Sequence, residues 1–130
     1  MINAIEHIAI AAADPARLAQ WYCDTLGFTI LVAAADNRTY FITVPGGGIV
    51  EIIATAPQAQ GEPVTHGAGL HHLALAVSDF AQAYATLQAR GIQFIGPAYR
   101  SPDGGTQFDF FTDPEGNRLQ VVQRKQPLGS

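Results

Sequence analysis

Two stretches of the chain repeat one pattern: residues 5–14 read IEHIAIAAAD, and residues 70–79 read LHHLALAVSD. In both, a histidine is followed by aliphatic residues that alternate with alanines, and then by an aspartate. The two histidines, His7 and His72, lie 65 positions apart. The alternation has the two-residue period of a β-strand. The sequence therefore predicts an internal duplication in which each copy begins with a strand that carries a histidine.

Each copy continues with a predicted helix, because PARLAQWYCDTLGF (15–28) and FAQAYATLQARGI (80–92) place apolar residues at helical spacing. An aspartate before each segment can accept hydrogen bonds from the first turn, and a glycine after it can end the helix. The residues expected in these roles are the N-caps Asp14 and Asp79 and the terminating glycines Gly27 and Gly91.

Strand-like segments bounded by Gly, Pro, Asn and Asp follow each helix. They are predicted at 28–34, 39–45 and 49–55 in the first copy, and at 92–96, 106–112 and 118–123 in the second. Each copy therefore reads β-α-β-β-β, and the fold class is α+β. The boundaries predicted are module one at 1–56, a linker at 57–69 and module two at 70–125. Because a unit of roughly 55 residues buries little surface alone, the modules should pack together as one domain.

The composition of the chain argues against nucleic acid and membranes as binding partners. The chain has 130 residues, of which 48% are hydrophobic and 14% charged, and its net charge is −4. No basic stripe is present, so nucleic acid is not an expected partner. No apolar run approaches the ~20 residues that span a bilayer, so no membrane partner is expected. The start MINAIEHIAI does not resemble a signal peptide and Cys23 is the single cysteine, so a cytoplasmic location is predicted.

Glu51 is the most unusual residue of the first copy, because it interrupts the apolar run IVEII (49–53). An unpaired charge taken out of water costs on the order of several kcal/mol. Such a carboxylate is tolerated if it is protonated, paired or bound to a metal, and Arg38 or Arg118 could provide an ion pair. In the second copy, Gln120 occupies the position equivalent to Glu51, 69 residues later within RLQVVQ.

Four polar residues, His7, Glu51, His72 and Gln120, thus come from the first and last strands of the two copies. If those strands are neighbours, each copy presents one pair on one face, and a pseudo-twofold could bring the pairs together. Imidazole and carboxylate are ordinary ligands of divalent metals, and an amide oxygen is a weaker one. The alternatives are that the histidines are buried core residues and that Gln120 is only a polar residue of its strand.

The motifs HIAIAAADPARLAQWYCDTLGF, IVEII, HHLALAVSDFAQAYATLQARG and FDFFTDPEGNRLQVV together resemble the vicinal oxygen chelate superfamily, the glyoxalase, bleomycin-resistance and dioxygenase group. The resemblance implies two βαβββ modules whose sheets curl around a central cavity, within a single domain of residues 1–130. It also implies one divalent ion (Zn, Fe, Co, Mn or Ni) and a small-molecule substrate. The family's ligand positions fall on His7, Glu51, His72 and Gln120. A homodimer is expected as well, since exposed sheet edges are commonly covered by a symmetric partner.

One position departs from the family pattern. The metalloenzymes of the family usually carry glutamate where this chain has Gln120, and the set of two His, one Glu and one Gln is most similar to methylmalonyl-CoA epimerases, with Gln and Glu exchanged between modules. The resemblance implies isomerase or lyase chemistry through a metal-stabilised enolate, with Glu51 as ligand and catalytic base. The alternatives are an iron-dependent dioxygenase that uses His7, His72 and Glu51, and a non-catalytic protein that binds an antibiotic or another small molecule.

Overall fold

The computed structural model describes residues 1–2, 4–55 and 68–129, so most of the linker predicted at 57–69 lies outside the described residues. The chain divides into two units, Met1–Val64 and Thr65–Ser130. Each unit contains the element order β-α-β-β-β, so the prediction of an α+β fold built from two βαβββ modules is confirmed. Neither helix within the described residues is long and apolar enough to cross a membrane.

The first unit is a four-stranded sheet with one helix. Its elements are β1 (Ile8–Ala12), α1 (Pro15–Leu26), β2 (Thr29–Ala33), β3 (Thr39–Thr43) and β4 (Ile49–Ala54). The strand order is β1-β4-β3-β2, with β1 parallel to β4 and the other pairs antiparallel. The first and last strands of the unit are therefore neighbours, as predicted.

The second unit repeats this arrangement. Its elements are β5 (Leu73–Ala76), α2 (Phe80–Ala89), β6 (Tyr99–Arg100), β7 (Thr106–Thr112) and β8 (Arg118–Arg124). The order is β5-β8-β7-β6, with β5 parallel to β8. Because the order of strands and the one parallel pair are the same in both units, the duplication seen in the sequence is a duplication of structure.

The helix boundaries follow the predicted capping residues. The side chain of Asp14 accepts a hydrogen bond from the backbone N–H of Arg17 at 3.1 Å, and Gly27 ends α1 in the left-handed conformation with φ 76°. Asp79 accepts equivalently from Gln82 at 3.0 Å. Helix α1 buries one apolar face, which includes Leu18, Ala19 and Tyr22, and packs on β3 and β4.

The strand predicted at 92–96 is wrong: this segment is irregular, and the strand that pairs with β7 is Tyr99–Arg100. A single ladder-like bond is present, from the N–H of Ile95 to the carbonyl of Phe110 at 2.8 Å. The next N–H, of Gly96, donates to the side chain of Asp109 instead of to a strand carbonyl. Pro97 has no N–H to donate, so the ladder resumes only beyond it.

Asp109 is a buried carboxylate that accepts several hydrogen bonds between the sheet and the helix of the second unit. It is 3% exposed, and its carboxylate accepts from the Tyr84 hydroxyl at 3.1 Å and from the Gly96 N–H at 3.0 Å. The ring of Tyr84 stacks on Phe94 with centroids 4.1 Å apart. Burial, followed by the hydrogen bond to Asp109, raises the pKa of the Tyr84 hydroxyl. One carboxylate thus joins helix α2 to the chain that leads into β6.

We predict that Asp109→Ala destabilises the protein by about 3 kcal/mol, because the Tyr84 hydroxyl and the N–H groups of Gly96 and Phe110 lose their acceptor in a buried environment. Tyr84→Phe should cost only about 1 kcal/mol, since it removes one donor and leaves Asp109 bonded to Gly96. Urea unfolding followed by circular dichroism measures both changes. Equal losses in the two variants would contradict the central role given to the carboxylate.

Candidate metal-binding site

The strand register places the predicted site residues in equivalent positions of the two units. Glu51 lies opposite Ala9 of β1 and Phe41 of β3. Gln120 lies opposite Ala74 of β5 and Phe110 of β7 in the same way. Each histidine lies two residues before the alanine of its set and one residue before the first strand of its unit, so His7 and His72 occupy equivalent positions.

In the first unit, His7 and Glu51 lie close together. The His7 Nε2 atom is 4.0 Å from the Glu51 Oε1 atom, and the two side chains are 33% and 21% exposed. The other ring nitrogen of His7, Nδ1, lies 3.0 Å from the Glu6 carboxylate, to which it can donate. The ring also meets the ring of Phe41 edge-on, with centroids 5.6 Å apart. Two carboxylates and one aromatic ring therefore surround this imidazole.

In the second unit, His72 meets Phe110 edge-on at 5.2 Å, as His7 meets Phe41. Its Nδ1 lies 2.8 Å from Nδ1 of His71, which takes the place that Glu6 has in the first unit. The guanidinium of Arg118 lies 2.8 Å from Nε2 of His71 and 6.0 Å from the Phe110 ring centroid. Gln120 is 8% exposed. His72 thus contacts an imidazole and an aromatic ring, and the guanidinium of Arg118 contacts the neighbouring His71.

The first pair fits a divalent metal ion. Ligand atoms about 2.1 Å from one ion are about 3 to 3.5 Å from each other, so small rotations of His7 and Glu51 would be sufficient. A histidine that donates from Nδ1 to a carboxylate keeps the lone pair of Nε2 for the metal, and Glu6 provides that carboxylate. The hydrogen bond to Glu6 therefore leaves the Nε2 atom of His7 available to accept a metal.

The second pair fits a metal only after a change in hydrogen bonding. A guanidinium only donates, so His71 must accept at Nε2 and donate from Nδ1 to His72. The proton of His72 is then on Nε2, the nitrogen that a metal would need. Ligation through that atom requires either the bond between His71 and Arg118 or the bond between His71 and His72 to break.

Within the parts of the chain that the structure describes, no group of three or more His, Cys, Asp or Glu side chains is close enough to hold a metal ion. The ion pair recorded there for Glu51 is with His7. Of the arginines considered as its partners, Arg118 lies in the second unit beside His71, and the backbone of Arg38 bonds to Asp36. A ligand set of His7, Glu51, His72 and Gln120 therefore stays a prediction, supported by equivalent positions.

Sequence reasoning missed the residues that contact the histidines. Phe41 and Phe110 correspond at the same spacing of 69 positions as Glu51 and Gln120, and Glu6 and His71 correspond at the histidine spacing of 65. The two repeat spacings, applied to the strands and to the residues just before them, indicate both sets.

Cys23 is half-buried on α1, and burial, with a smaller effect of Asp24, raises the pKa of its thiol. The thiol is therefore mostly protonated near neutral pH, which disfavours a role as nucleophile.

Residues 4–121 match the family model described as Glyoxalase/Bleomycin resistance protein/Dioxygenase superfamily. The chain therefore belongs to this superfamily, and the resemblance to vicinal oxygen chelate proteins is confirmed. One relative is the uncharacterized protein YaeR of Escherichia coli (strain K12), which is 30% identical over 129 residues, or 95% of this chain and 98% of that protein.

Solved structures agree with this assignment. A superfamily member from Sphaerobacter thermophilus DSM 20745 is 25% identical with a TM-score of 0.74, over 95% of this chain and 98% of that one. A glyoxalase/dioxygenase from Nostoc punctiforme has a TM-score of 0.76 at 17% identity, over 97% and 100% of the two chains. A lactoylglutathione lyase from Agrobacterium tumefaciens has a TM-score of 0.69 at 19% identity, over 94% of each chain. The latter two likenesses show the fold alone.

Proposed function

We propose that the protein is a divalent-metal-dependent enzyme that performs isomerase or lyase chemistry on a small, oxygen-rich molecule. The observation that carries the proposal is the pair formed by His7 and Glu51, 4.0 Å apart, with Glu6 at the far nitrogen of the imidazole. A half-buried carboxylate beside an oriented imidazole is a common beginning of a metal site. Superfamily membership supports the same chemistry.

The remaining ligands proposed are His72 and Gln120, which repeat the first pair in the second unit. Support comes from the equivalent register of Glu51 and Gln120 and from the equivalent ring contacts of the two histidines. Gln120 is a neutral ligand, so the single carboxylate of Glu51 would leave a divalent ion with one net positive charge. Zn, Fe, Co, Mn and Ni all accept such a set of nitrogen and oxygen ligands.

When bound, the ion would hold two neighbouring substrate oxygens and stabilise the enolate-like charge that develops between them. Glu51 is proposed as the general base, because a carboxylate displaced from the ion can remove a proton from the adjacent carbon. Its neighbours suit this role: Phe41 and Ala9 flank it on either side in the sheet and offer it no competing charge. His7 is held by Glu6 and keeps its orientation while Glu51 moves.

We expect the protein to bind about one divalent ion per chain. Glu51→Ala should abolish uptake, and His7→Ala and His72→Ala should weaken it at least about tenfold, because each removes one of few ligands. Titration calorimetry with Zn²⁺ and elemental analysis of the dialysed protein measure this. Asp24→Asn, which changes an exposed carboxylate on α1, is the matched control and should bind like the parent. Uptake by all three site variants equal to the parent would place any metal elsewhere and favour a non-catalytic binding protein.

Gln120→Glu is the sharpest test of the fourth ligand. If Gln120 contacts the ion, the second carboxylate should tighten metal binding about tenfold or more and provide a second base, giving proton transfer on a hemithioacetal or another α-hydroxycarbonyl compound. If Gln120 is only a buried strand residue, the new charge should cost on the order of 3 kcal/mol of stability instead.

Metal calorimetry and a melting curve of this variant separate the two outcomes. Unchanged metal affinity with a clear loss of melting temperature would remove Gln120 from the site. His7, Glu51 and His72 would then form a two-histidine, one-carboxylate set, which favours the iron-dependent dioxygenase alternative.

We also propose that the protein forms a homodimer. Strand β2 is at one end of its sheet, and the side chains of Ile30, Leu31 and Val32 are 38%, 51% and 56% exposed. An apolar edge strand of this kind is commonly covered by a second chain. Light scattering at micromolar concentration should give twice the chain mass of 13.8 kDa, and Leu31→Lys should shift the mass toward one chain. A parent protein with the mass of a single chain would contradict the proposal.

A further inference from the structure

We propose that the second unit recognises the organic part of the substrate, and that the substrate is a planar unsaturated or aromatic carboxylate. The ring would stack along a row of aromatic side chains, Tyr99, Phe108 and Phe110, which we call the aromatic row, and its carboxylate would bind Arg118. This inference rests on the proposed function in one respect, since the metal would hold the oxygens at the opposite end of the substrate. The aromatic row and Arg118 are independent of that metal.

The first observation is a difference between two sheets that share one backbone pattern. Thr39 pairs with Ile53 in the first unit, and Phe108 pairs with Val122 at the equivalent place in the second. Arg118 likewise stands where the first unit has Ile49, each opposite a threonine of the neighbouring strand. The backbone does not require these differences, because the last two strands pair in the same register in both units. The differences give the sheet face of the second unit an aromatic ring and a cation where the first unit has a threonine and an isoleucine.

The second observation is the continuity of the aromatic row. Tyr99 stacks on Phe108 with centroids 4.8 Å apart and an interplanar angle of 28°. Phe108 meets Phe110 at 5.6 Å, and Phe110 meets His72 at 5.2 Å. Phe108 and Phe110 are two residues apart on β7, so they share the face of the sheet that carries Gln120. Tyr99 is 47% exposed and Phe108 and Phe110 are half-buried, so ring surface is left for a planar ligand.

The third observation concerns charge. The Arg118 guanidinium contacts the His71 imidazole and the Phe110 ring, and neither is an acid. The buried carboxylates of the unit are engaged elsewhere, Asp109 with Tyr84 and Gly96, and Asp113 with Asn117. Within residues 68–129 no salt bridge to Arg118 is present. A guanidinium over an aromatic ring with no carboxylate partner is a suitable site for a substrate carboxylate.

The second unit therefore offers a single ligand both a stacking surface and a cation. Arg118 attracts an anion, and the aromatic row offers ring surface to a planar group. A flat ring with a carboxylate satisfies stacking and charge in the second unit together. An aliphatic acid would satisfy only the charge, and a neutral ring only the stacking.

The test uses the full chain in EDTA, so that no metal contributes, with benzoate as the probe and cyclohexanecarboxylate and benzamide as comparisons. Benzoate and cyclohexanecarboxylate have the same charge and nearly the same size, but only benzoate has a π-face. Benzoate should bind several-fold and up to about tenfold tighter, the range expected for an aromatic pair. Benzamide should bind more weakly than benzoate. Affinities are measured by chemical-shift titration.

Variants assign the effects to residues. Tyr99→Leu and Phe108→Leu should remove the preference for benzoate over cyclohexanecarboxylate. Phe94→Leu is the matched control, because it removes a stacked ring of the same unit that packs against Tyr84 of helix α2, and it should keep the preference. Arg118→Met should weaken benzoate at least about tenfold and leave benzamide unchanged. Circular dichroism confirms that each variant is folded before titration.

Equal binding of benzoate and cyclohexanecarboxylate, no binding of benzoate at all, or a preference that survives in Tyr99→Leu and Phe108→Leu would each overturn the inference. A separate titration with 3,4-dihydroxybenzoate, with and without Zn²⁺, distinguishes it from the metal proposal. Tighter binding with Zn²⁺ supports both proposals. If Zn²⁺ has no effect while the benzoate preference holds, the metal function fails and the aromatic carboxylate site stands.

Discussion

The parallel pairing of the first and last strands is the constraint on which each unit depends. Parallel neighbours need a crossover connection, and the helix provides most of it, so the β-α-β-β-β order and the sheet order follow together. The pairing brings the start of the unit, where the histidine lies, beside the last strand. With side chains alternating along each strand, the histidine and the residue at position 51 or 120 then share one face. The helix covers the other face, which is why the aliphatic residues are on that side.

The face that carries His7 and Glu51 has charged groups that packing alone does not require. Glu51 has apolar neighbours in sequence, yet it remains 21% exposed and lies 4.0 Å from an imidazole. It is therefore neither a fully buried charge, which would be costly, nor a solvated one, which would be inert. His7 is similarly placed between two carboxylates. Such an arrangement attracts a cation because the acceptors outnumber the donors around one small volume.

The sequence was sufficient to predict the fold because local signals agreed with each other. Aspartate caps, terminating glycines and alternating strands were repeated in two copies, and repetition turned weak signals into a strong one. The prediction of a strand at 92–96 was wrong because the conformation of this segment depends on Asp109, which lies 13 positions from Gly96 in the sequence. The Asp109 side chain accepts a hydrogen bond from the backbone N–H of Gly96. No local pattern indicates such a contact. The site positions followed from the repeat, whereas the tautomer of His72 followed only from the observed chain of contacts through His71 to Arg118.

Duplication also explains how the two faces could come to differ. With the backbone register identical, a substitution at one position changes only the chemistry of its own face, as in Glu51 and Gln120 or Ile49 and Arg118. The consequence extends to His72: while Arg118 donates to His71, the proton of His72 stays on Nε2. An anion that draws Arg118 away removes this constraint and leaves His71 free to accept, so that the proton of His72 can move to Nδ1.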